Sequence, residues 1–271
     1  MKSEVFYGQR FWSYFKYDLT QMWRNHVKAA VGIGLAGLIA YCVSVLFNLV
    51  FEGEWMGPSL GFRFAVFVVA AAAFELYQTR TYGYLTYKRK GSSWLMVPAS
   101  TFEKWLSMML ITLILMPLLF LFSSALVDSV LCWLDPTMEK SMLSVLSGGL
   151  QELSNGIASV NGEYMTTWDM GVLGWPALVG LWTSLLFWLL CGLCFRRNKI
   201  LGGFVVLLGV SILTSSFTGI SMLSNMEADF DDFASAEAAI RSIINIATII
   251  EAFVAAGLAG GIFWRLKTLK H

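Results

Sequence analysis

The chain is organised around long stretches that carry almost no charged side chains. An α-helix needs about 20 consecutive apolar residues to cross the hydrocarbon core of a bilayer. Six stretches reach about that length, and the second of them has a charge near each end. They cover residues 29–51, 60–79, 105–127, 170–195, 200–220 and 243–264. The pattern predicts an all-α membrane protein whose residues 29–264 form a six-helix transmembrane domain.

The composition excludes a typical soluble domain. Hydrophobic residues make up 57% of the chain and charged residues 14%, with a mean hydropathy of +0.65, whereas a soluble domain carries about 25% charged residues. A net charge of +1 provides no basic field that attracts nucleic acid. The chain has two histidines, which are too few for a zinc site, and its four cysteines lie mostly within apolar stretches. The sequence therefore predicts no metal site. Cys191 and Cys194 have redox spacing, but packing inside an apolar span explains them better.

The basic residues fall mainly on one side of the predicted membrane. All 19 Lys and Arg residues except Arg63, Lys140 and Arg241 lie in segments on the same side as the N-terminus. Basic residues that flank transmembrane helices stay in the cytoplasm. We therefore expect both termini, including a tail of residues 265–271, to be cytoplasmic.

Residues 1–28 are predicted to form an amphipathic helix before the first span. Apolar side chains recur there at helical spacing, namely Phe11, Phe15, Leu19, Met22 and Trp23. Such a face suits the headgroup boundary of a bilayer, with the basic side chains near anionic lipid. Two interpretations remain open: a plain membrane anchor and a specialised cytoplasmic elbow helix that leads into the first span.

The longest predicted cytoplasmic loop, residues 80–104, combines basic and apolar segments. The basic stretch ends in a glycine and consists of Lys88, Arg89, Lys90 and Gly91. The segment from Trp94 to Val97 is too apolar for a solvated loop. An apolar patch rimmed by cations favours contact with a partner or with the lipid surface.

The end of this loop predicts a defined start for the third span. Pro98 ends any short helix formed by the apolar residues before it. Ser100 and Glu103 have the spacing of a capping box, in which each side chain accepts a hydrogen bond from the backbone N–H of the other residue.

The predicted outer segment, residues 128–169, is also long. Asp135 and Pro136 predict the N-cap and first residue of a helix. Its apolar face would be formed by Met142, Leu146, Leu150 and Leu153. This helix either rests on the outer leaflet or closes the mouth of a cavity, and the pattern does not decide between the two.

Glu75 and Glu251 are the only acidic residues within the predicted spans. An ionisable residue in a span usually faces the bundle interior or water, so both are candidates for a function. For Glu75, the alternative is pairing with Arg80 or reaching the membrane boundary. For Glu251, a polar path and a hydrogen bond that fixes helix packing remain open.

The sequence has no motif from which a catalytic residue is inferred. No glycine-rich segment ends in the Gly-Lys-Ser/Thr that cradles phosphates, and no His-Glu-x-x-His pattern is present. We therefore expect no cofactor, no metal and no ATP hydrolysis by this chain.

The loop before the third span carries a resemblance to a known family. It contains a basic residue with glycine, a short apolar segment and then Pro-x-Ser-x-x-Glu, in the sequence Lys90-Gly91-Ser92-Ser93-Trp94-Leu95-Met96-Val97-Pro98-Ala99-Ser100-Thr101-Phe102-Glu103-Lys104. Together with the elbow and the six spans, it resembles the membrane subunit of type-2 ATP-binding-cassette (ABC) transporters, especially the small permeases of Bacteroidota.

The resemblance implies that this chain is a permease that moves a substrate with ATP hydrolysed by a separate subunit. The short apolar segment would be a coupling helix, so residues 89–98 would contact the ATPase, and a second permease copy or paralogue would complete the membrane part. The implied interface residues are Lys88, Arg89, Lys90, Gly91, Trp94, Pro98, Ser100 and Glu103. A second class of function remains open: a non-transporting membrane scaffold or sensor whose loop binds a cytoplasmic regulator or anionic lipid.

Overall fold

The computed structural model is a bundle of helices. It describes residues 6–87, 94, 96–138, 140–142, 144, 170–210 and 233–268. Their helices are α1 Gly8–Met22, α2 Lys28–Gly34, α3 Ala36–Phe51, α4 Leu60–Thr81, α5 Thr101–Leu110, α6 Met116–Leu134, α7 Met170–Cys194, α8 Lys199–Val210 and α9 Phe233–Thr268. A 3₁₀ turn, Gly83–Thr86, follows α4. These described residues contain no strand, so the predicted all-α class is confirmed for them.

Four helical stretches are long and apolar enough to cross a membrane. They are Gly8–Phe51, Leu60–Thr86, Thr101–Leu134 and Asn245–Thr268, and they include most or all of the first, second, third and sixth predicted spans. Many of their large apolar side chains point outward, such as Val50 (73% exposed) and Phe253 (75% exposed). Lipid rather than water suits such a surface, so the architecture is that of a membrane protein.

The fourth and fifth predicted spans are represented by α7 and α8. The 25 residues of α7 coincide with the fourth span to within one residue. α8 covers the first half of the fifth span, and the residues from 211 onward lie outside the described part. A count of six crossings therefore stays a prediction.

No loop separates the predicted elbow from the first span. α1 passes into α2 through a π-helical turn, Trp23–Val27, and α3 follows directly after Leu35. No proline lies between Gly8 and Phe51, and the residues at each junction keep right-handed helical backbone angles. The elbow and the first span therefore form one nearly continuous helical stretch.

A second π-helical turn, Ile111–Leu115, joins α5 to α6. Pro117 lies one residue into α6 and has no backbone N–H, so it cannot donate to the carbonyl oxygen of Leu113 four residues earlier. A proline that removes this hydrogen bond is a common cause of irregular helical geometry. The third span is therefore divided into two parts, α5 and α6. We call the α5 end of the bundle the cytoplasmic end and the opposite end the outer end, after the orientation predicted from the sequence.

α7 occupies the centre of the described bundle, with α4 and α9 packed against it. Its contact with α4 depends on Gly192, because a Cβ there would lie 2.5 Å from the backbone oxygen of Thr79. Small residues permit this close approach of two helices in a membrane. Nearer the outer side, the rings of Phe74 in α4 and Phe120 in α6 stack with centroids 4.8 Å apart.

The outer end of the bundle holds a buried ion pair. Nη1 of Arg63 in α4 donates to Oδ1 of Asp128 in α6 at 2.7 Å. The same two side chains hold the start of the outer segment. Nη2 of Arg63 donates to the carbonyl oxygen of Lys140 at 2.6 Å, and the N–H of Met142 donates to Oδ2 of Asp128 at 2.5 Å.

The helix predicted to start at Pro136 is not formed there. Asp135 is instead the C-cap of α6, and the chain turns at residues 136 and 137. Oδ1 of Asp135 accepts from the N–H and hydroxyl of Thr137, and Oδ2 accepts from the Tyr41 hydroxyl at 2.7 Å. A carboxylate bonded to its own chain two residues on favours a turn over a helix start. Leu146, Leu150 and Leu153 lie outside the described residues.

Candidate coupling interface

Trp94 anchors the loop between α4 and α5. The side chain is 7% exposed, and its Nε1–H donates to the hydroxyl of Tyr14 in α1 at 3.0 Å. Nζ of Lys104 in α5 donates to the Trp94 carbonyl oxygen at 2.8 Å and lies 4.5 Å from the ring centroid. This distance is within the range of a cation–π interaction. Trp94 therefore connects the loop to both α1 and α5.

Other residues of the loop point outward. Met96 is 82% exposed, and Pro98 is also exposed. Both side chains are therefore accessible from outside the described bundle. Four predicted interface residues, Lys88, Arg89, Lys90 and Gly91, lie outside the described part, and their role stays a prediction.

The capping box predicted at the start of α5 is confirmed. Oγ of Ser100 accepts from the N–H of Glu103 at 3.2 Å, and Oε2 of Glu103 accepts from the N–H of Ser100 at 2.8 Å. Both residues are buried. The two hydrogen bonds satisfy backbone donors that the helix itself leaves unpaired, so the N-terminal end of α5 is fixed.

Glu103 has a second role that the sequence did not reveal. Nε of Arg10 in α1 donates to Oε2 of Glu103 at 2.8 Å, and Nη2 of Arg10 donates to Oε1 at 2.8 Å. The N–H of Tyr7 also donates to Oε1, at 3.1 Å. A guanidinium that binds both oxygens of a carboxylate fixes direction as well as distance. The same carboxylate therefore caps α5 and holds α1.

Asp18 forms a further polar contact between α1, α5 and the end of α4. It is 4% exposed. Its Oδ2 accepts from the hydroxyl of Ser107 in α5 at 2.6 Å and from the hydroxyl of Tyr82 at 2.9 Å. Buried polar groups require such partners, so Asp18 helps to set the position of the elbow on the bundle.

Lys199 links the same region to α7. Its Nζ donates to the carbonyl oxygen of Gly83, to the hydroxyl of Thr86 at 2.9 Å and to the carbonyl oxygen of Gly192 at 3.0 Å. Burial lowers the pKa of Lys199 to about 8. The turn after α4 is thus held by α7 on one side, while Tyr82 beside it contacts Asp18 on the other.

The two acidic residues of the predicted spans lie beside the same turn of α7. Oε2 of Glu75 accepts from the hydroxyl of Ser184 at 2.5 Å. The carboxylate of Glu251 is exposed, whereas its backbone oxygen accepts weakly from the Thr183 hydroxyl at 3.5 Å. Among the described residues, neither acid forms an ion pair, so the predicted pairing of Glu75 with Arg80 is not observed.

Trp94, Ser100 and Glu103 were selected from the sequence as residues of an ATPase interface. The structure brings them together at the start of α5, where all three are buried, and their contact with an ATPase stays a prediction. Sequence reasoning missed their partners Arg10 and Lys104, because pairs that are distant in the sequence leave no local pattern. Glu75 and Glu251 are not part of this cluster. Comparisons of the chain with protein-family models, curated proteins and solved structures find no match.

Proposed function

We propose that this chain is the membrane-spanning permease subunit of an ABC transporter in the bacterial inner membrane. In this proposal it has six spans and cytoplasmic termini, pairs with a second copy, and binds two separate ATPase subunits through the loop between α4 and α5. The chain transmits motion, and the partner hydrolyses ATP. The four apolar helical stretches and the excess of basic residues on one side support this arrangement.

The anchoring of Trp94 is the observation that carries the proposal. A loop that receives force from a motor must be attached firmly to the parts that move. Trp94 is held by Tyr14 in the elbow and by Lys104 in α5, whereas Met96 beside it is 82% exposed. The loop therefore has one residue directed into the bundle and another that is accessible to a partner.

The capping box of Ser100 and Glu103, together with Arg10, extends the connection from the loop to α1. A displacement of the loop pulls on Lys104, and α5 cannot tilt without carrying Glu103 and the Arg10 bound to it. The third span and the elbow then move together. In a transporter, such a movement shifts the bundle between two arrangements, and nucleotide binding by the ATPase biases the equilibrium between them.

Co-purification with the ATPase encoded by a neighbouring gene tests the partner. Charge reversal of Arg89 and Lys90 to Glu is expected to weaken association and to abolish the effect of the permease on ATP turnover, because basic residues at a docking surface determine specificity and the rate of encounter. Reversal of Arg196 and Arg197 is the matched control. These are also two cations that are adjacent in the sequence, and they are exposed in the loop between α7 and α8.

The variant Trp94→Ala distinguishes binding of the ATPase from transmission of its motion to the bundle. The partner contact at Met96 remains, so we expect association to be retained while the permease no longer changes the ATPase rate in lipid nanodiscs. If charge reversal and Trp94→Ala both leave association and turnover unchanged, the permease proposal is wrong and the scaffold or sensor is favoured.

A further inference from the structure

A cavity of about 670 Å³ lies between α1, the end of α4 and Trp94. We call it the elbow pocket. Its volume falls within the range of about 300–1,000 Å³ that is usual for small-molecule sites. Its aromatic lining comes from Tyr14, Tyr17, Tyr84 and Trp94, and Asp18 also lines it.

Asp18 is the unusual group in this pocket. It is a 4% exposed acid that forms no ion pair with any described residue. Its Oδ2 is occupied by two hydroxyl donors, on Tyr82 and Ser107. Among the described residues, its Oδ1 has no hydrogen-bond partner. A buried carboxylate is normally paired with a cation, and Asp18 lines the pocket without such a partner among the described residues.

The aromatic rings add to the attraction for a cation. The negative faces of Tyr and Trp rings bind ammonium groups, and several rings around one carboxylate form the cage used to recognise organic cations. Part of this lining is fixed before binding, because the Trp94 Nε1–H donates to the Tyr14 hydroxyl. The Trp94 ring already contacts Nζ of Lys104, so the rings left for a ligand cation are those of Tyr14, Tyr17 and Tyr84.

The rim of the pocket has the opposite charge. Arg80 is exposed at the end of α4 and lines the same cavity, together with the amides of Gln21 and Asn25. Arginine binds phosphate and carboxylate groups through its planar guanidinium. A ligand that places an ammonium group at Asp18 and an anionic group at Arg80 matches both ends of the pocket.

We propose that the elbow pocket binds a zwitterionic aminophosphate, with its ammonium group at Asp18 inside the aromatic cage and its phosphate at Arg80. This chemistry has two sources: a soluble aminophosphate, and the headgroup of a lipid in the cytoplasmic leaflet. The site does not depend on a transport function, because each residue in the argument belongs to this chain.

Two binding measurements on the full-length chain test the proposal. In detergent, phosphoethanolamine is titrated calorimetrically as the soluble probe. In nanodiscs of phosphatidylglycerol with and without phosphatidylethanolamine, native mass spectrometry measures the retained lipid. We expect saturable binding in at least one measurement. Binding only of the soluble probe identifies a metabolite site, and retention only of phosphatidylethanolamine identifies a lipid site.

Variants of the pocket locate the bound group. Asp18→Asn keeps an oxygen for Tyr82 and Ser107 but removes the charge, so we expect about tenfold weaker binding or more. Tyr17→Leu removes a 48% exposed ring, and we expect about threefold weaker binding with the fold intact. Tyr87→Leu is the control, because Tyr87 is 52% exposed and lies outside the pocket.

Two results would overturn the proposal. One is the absence of binding in both measurements. The other is binding that Asp18→Asn and Tyr17→Leu leave unchanged while circular dichroism shows folded protein. ATP turnover is not among the readouts, so the proposal stands or fails independently of the permease function.

Discussion

The buried ion pair between Arg63 and Asp128 allows a quantitative test of how the outer end of the bundle is held together. The change is Asp128→Asn, which keeps the shape of the side chain and removes its charge. Arg63 is 8% exposed, so its guanidinium then remains in the bundle without a countercharge. The Asp128 carboxylate also accepts from the N–H of Met142, and that hydrogen bond becomes weaker.

The size of the effect follows from the cost of leaving a buried charge unpaired. Removing one partner of a buried ion pair costs about 3–5 kcal/mol, and we expect Asp128→Asn to lower the free energy of unfolding by about that amount. The double variant Arg63→Met with Asp128→Leu leaves no unpaired charge. It still loses the hydrogen bonds to Lys140 and Met142, each worth about 1 kcal/mol, so we expect a cost of about 2 kcal/mol.

The assay is equilibrium unfolding in detergent micelles, followed by circular dichroism. Lys140→Met is the control, because only the backbone oxygen of Lys140 takes part in the contact, and such a surface change is expected to cost less than about 0.5 kcal/mol. The cycle is completed by the single variants Arg63→Met and Asp128→Leu, and the reasoning is refuted if the double variant is as unstable as the sum of these two. Additive costs would mean that the two charges are not coupled.

Three further predictions concern other parts of the bundle. Ser100→Ala removes the N-cap of α5 and should lower stability by about 1 kcal/mol in the same unfolding assay, whereas Ser100→Thr, which keeps the hydroxyl, should cost less. Gly192→Ala places a methyl group against the backbone of Thr79 and should cost about 1–3 kcal/mol. Gly257→Ala, where a Cβ meets nothing within 4 Å, should not destabilise the protein, and equal effects would contradict the close helix approach. Burial raises the pKa of Asp135, but hydrogen bonds from Thr137 and Tyr41 outweigh it and hold the pKa below its ordinary value of 3.8. The stabilisation from ionised Asp135 is therefore present above about pH 4 and lost as the pH falls further, so the stability advantage over Asp135→Asn should shrink below pH 4. An advantage that does not change between pH 3 and 6 would rule out this role.

The transmembrane helices were predictable because their signal is local. Each of the four confirmed stretches is a run of apolar residues long enough to cross the bilayer, and no tertiary information is needed to recognise it. The same holds for the capping box of Ser100 and Glu103, whose two hydrogen bonds connect residues three positions apart. Local spacing was sufficient to place the start of α5.

The elbow shows where local patterns fail. Its helical spacing predicted one apolar face, but of the residues on that face only Met22 is buried, and the other buried residues of α1 are Tyr14 and Asp18. In a soluble protein the apolar face is the buried face. In a membrane, lipid also accepts apolar side chains, so hydrophobicity does not distinguish the surface that faces lipid from the surface that faces the protein.

Polar contacts over long sequence distances were also beyond sequence reasoning. Arg10 and Glu103 are 93 residues apart, and Lys199 and Gly83 are 116 apart. A basic residue near a membrane boundary has the same appearance in the sequence whether it contacts a phosphate, water or a carbonyl oxygen. The prediction of a helix start at Asp135 was wrong for a related reason. Its side chain suits either a helix start or a turn, and in the structure the turn occurs together with a hydrogen bond from Tyr41, which is distant in the sequence.

The π-helical turn Ile111–Leu115 affects how the third span tolerates a change in length. A π turn contains one residue more than an α turn, so deletion of a single residue there lets the helix return to regular geometry with both flanking segments still facing their present neighbours. The same deletion within α6 would rotate everything beyond it by about 100° and turn Asp128 away from Arg63. Natural length variation in this span is therefore expected to be confined to that turn.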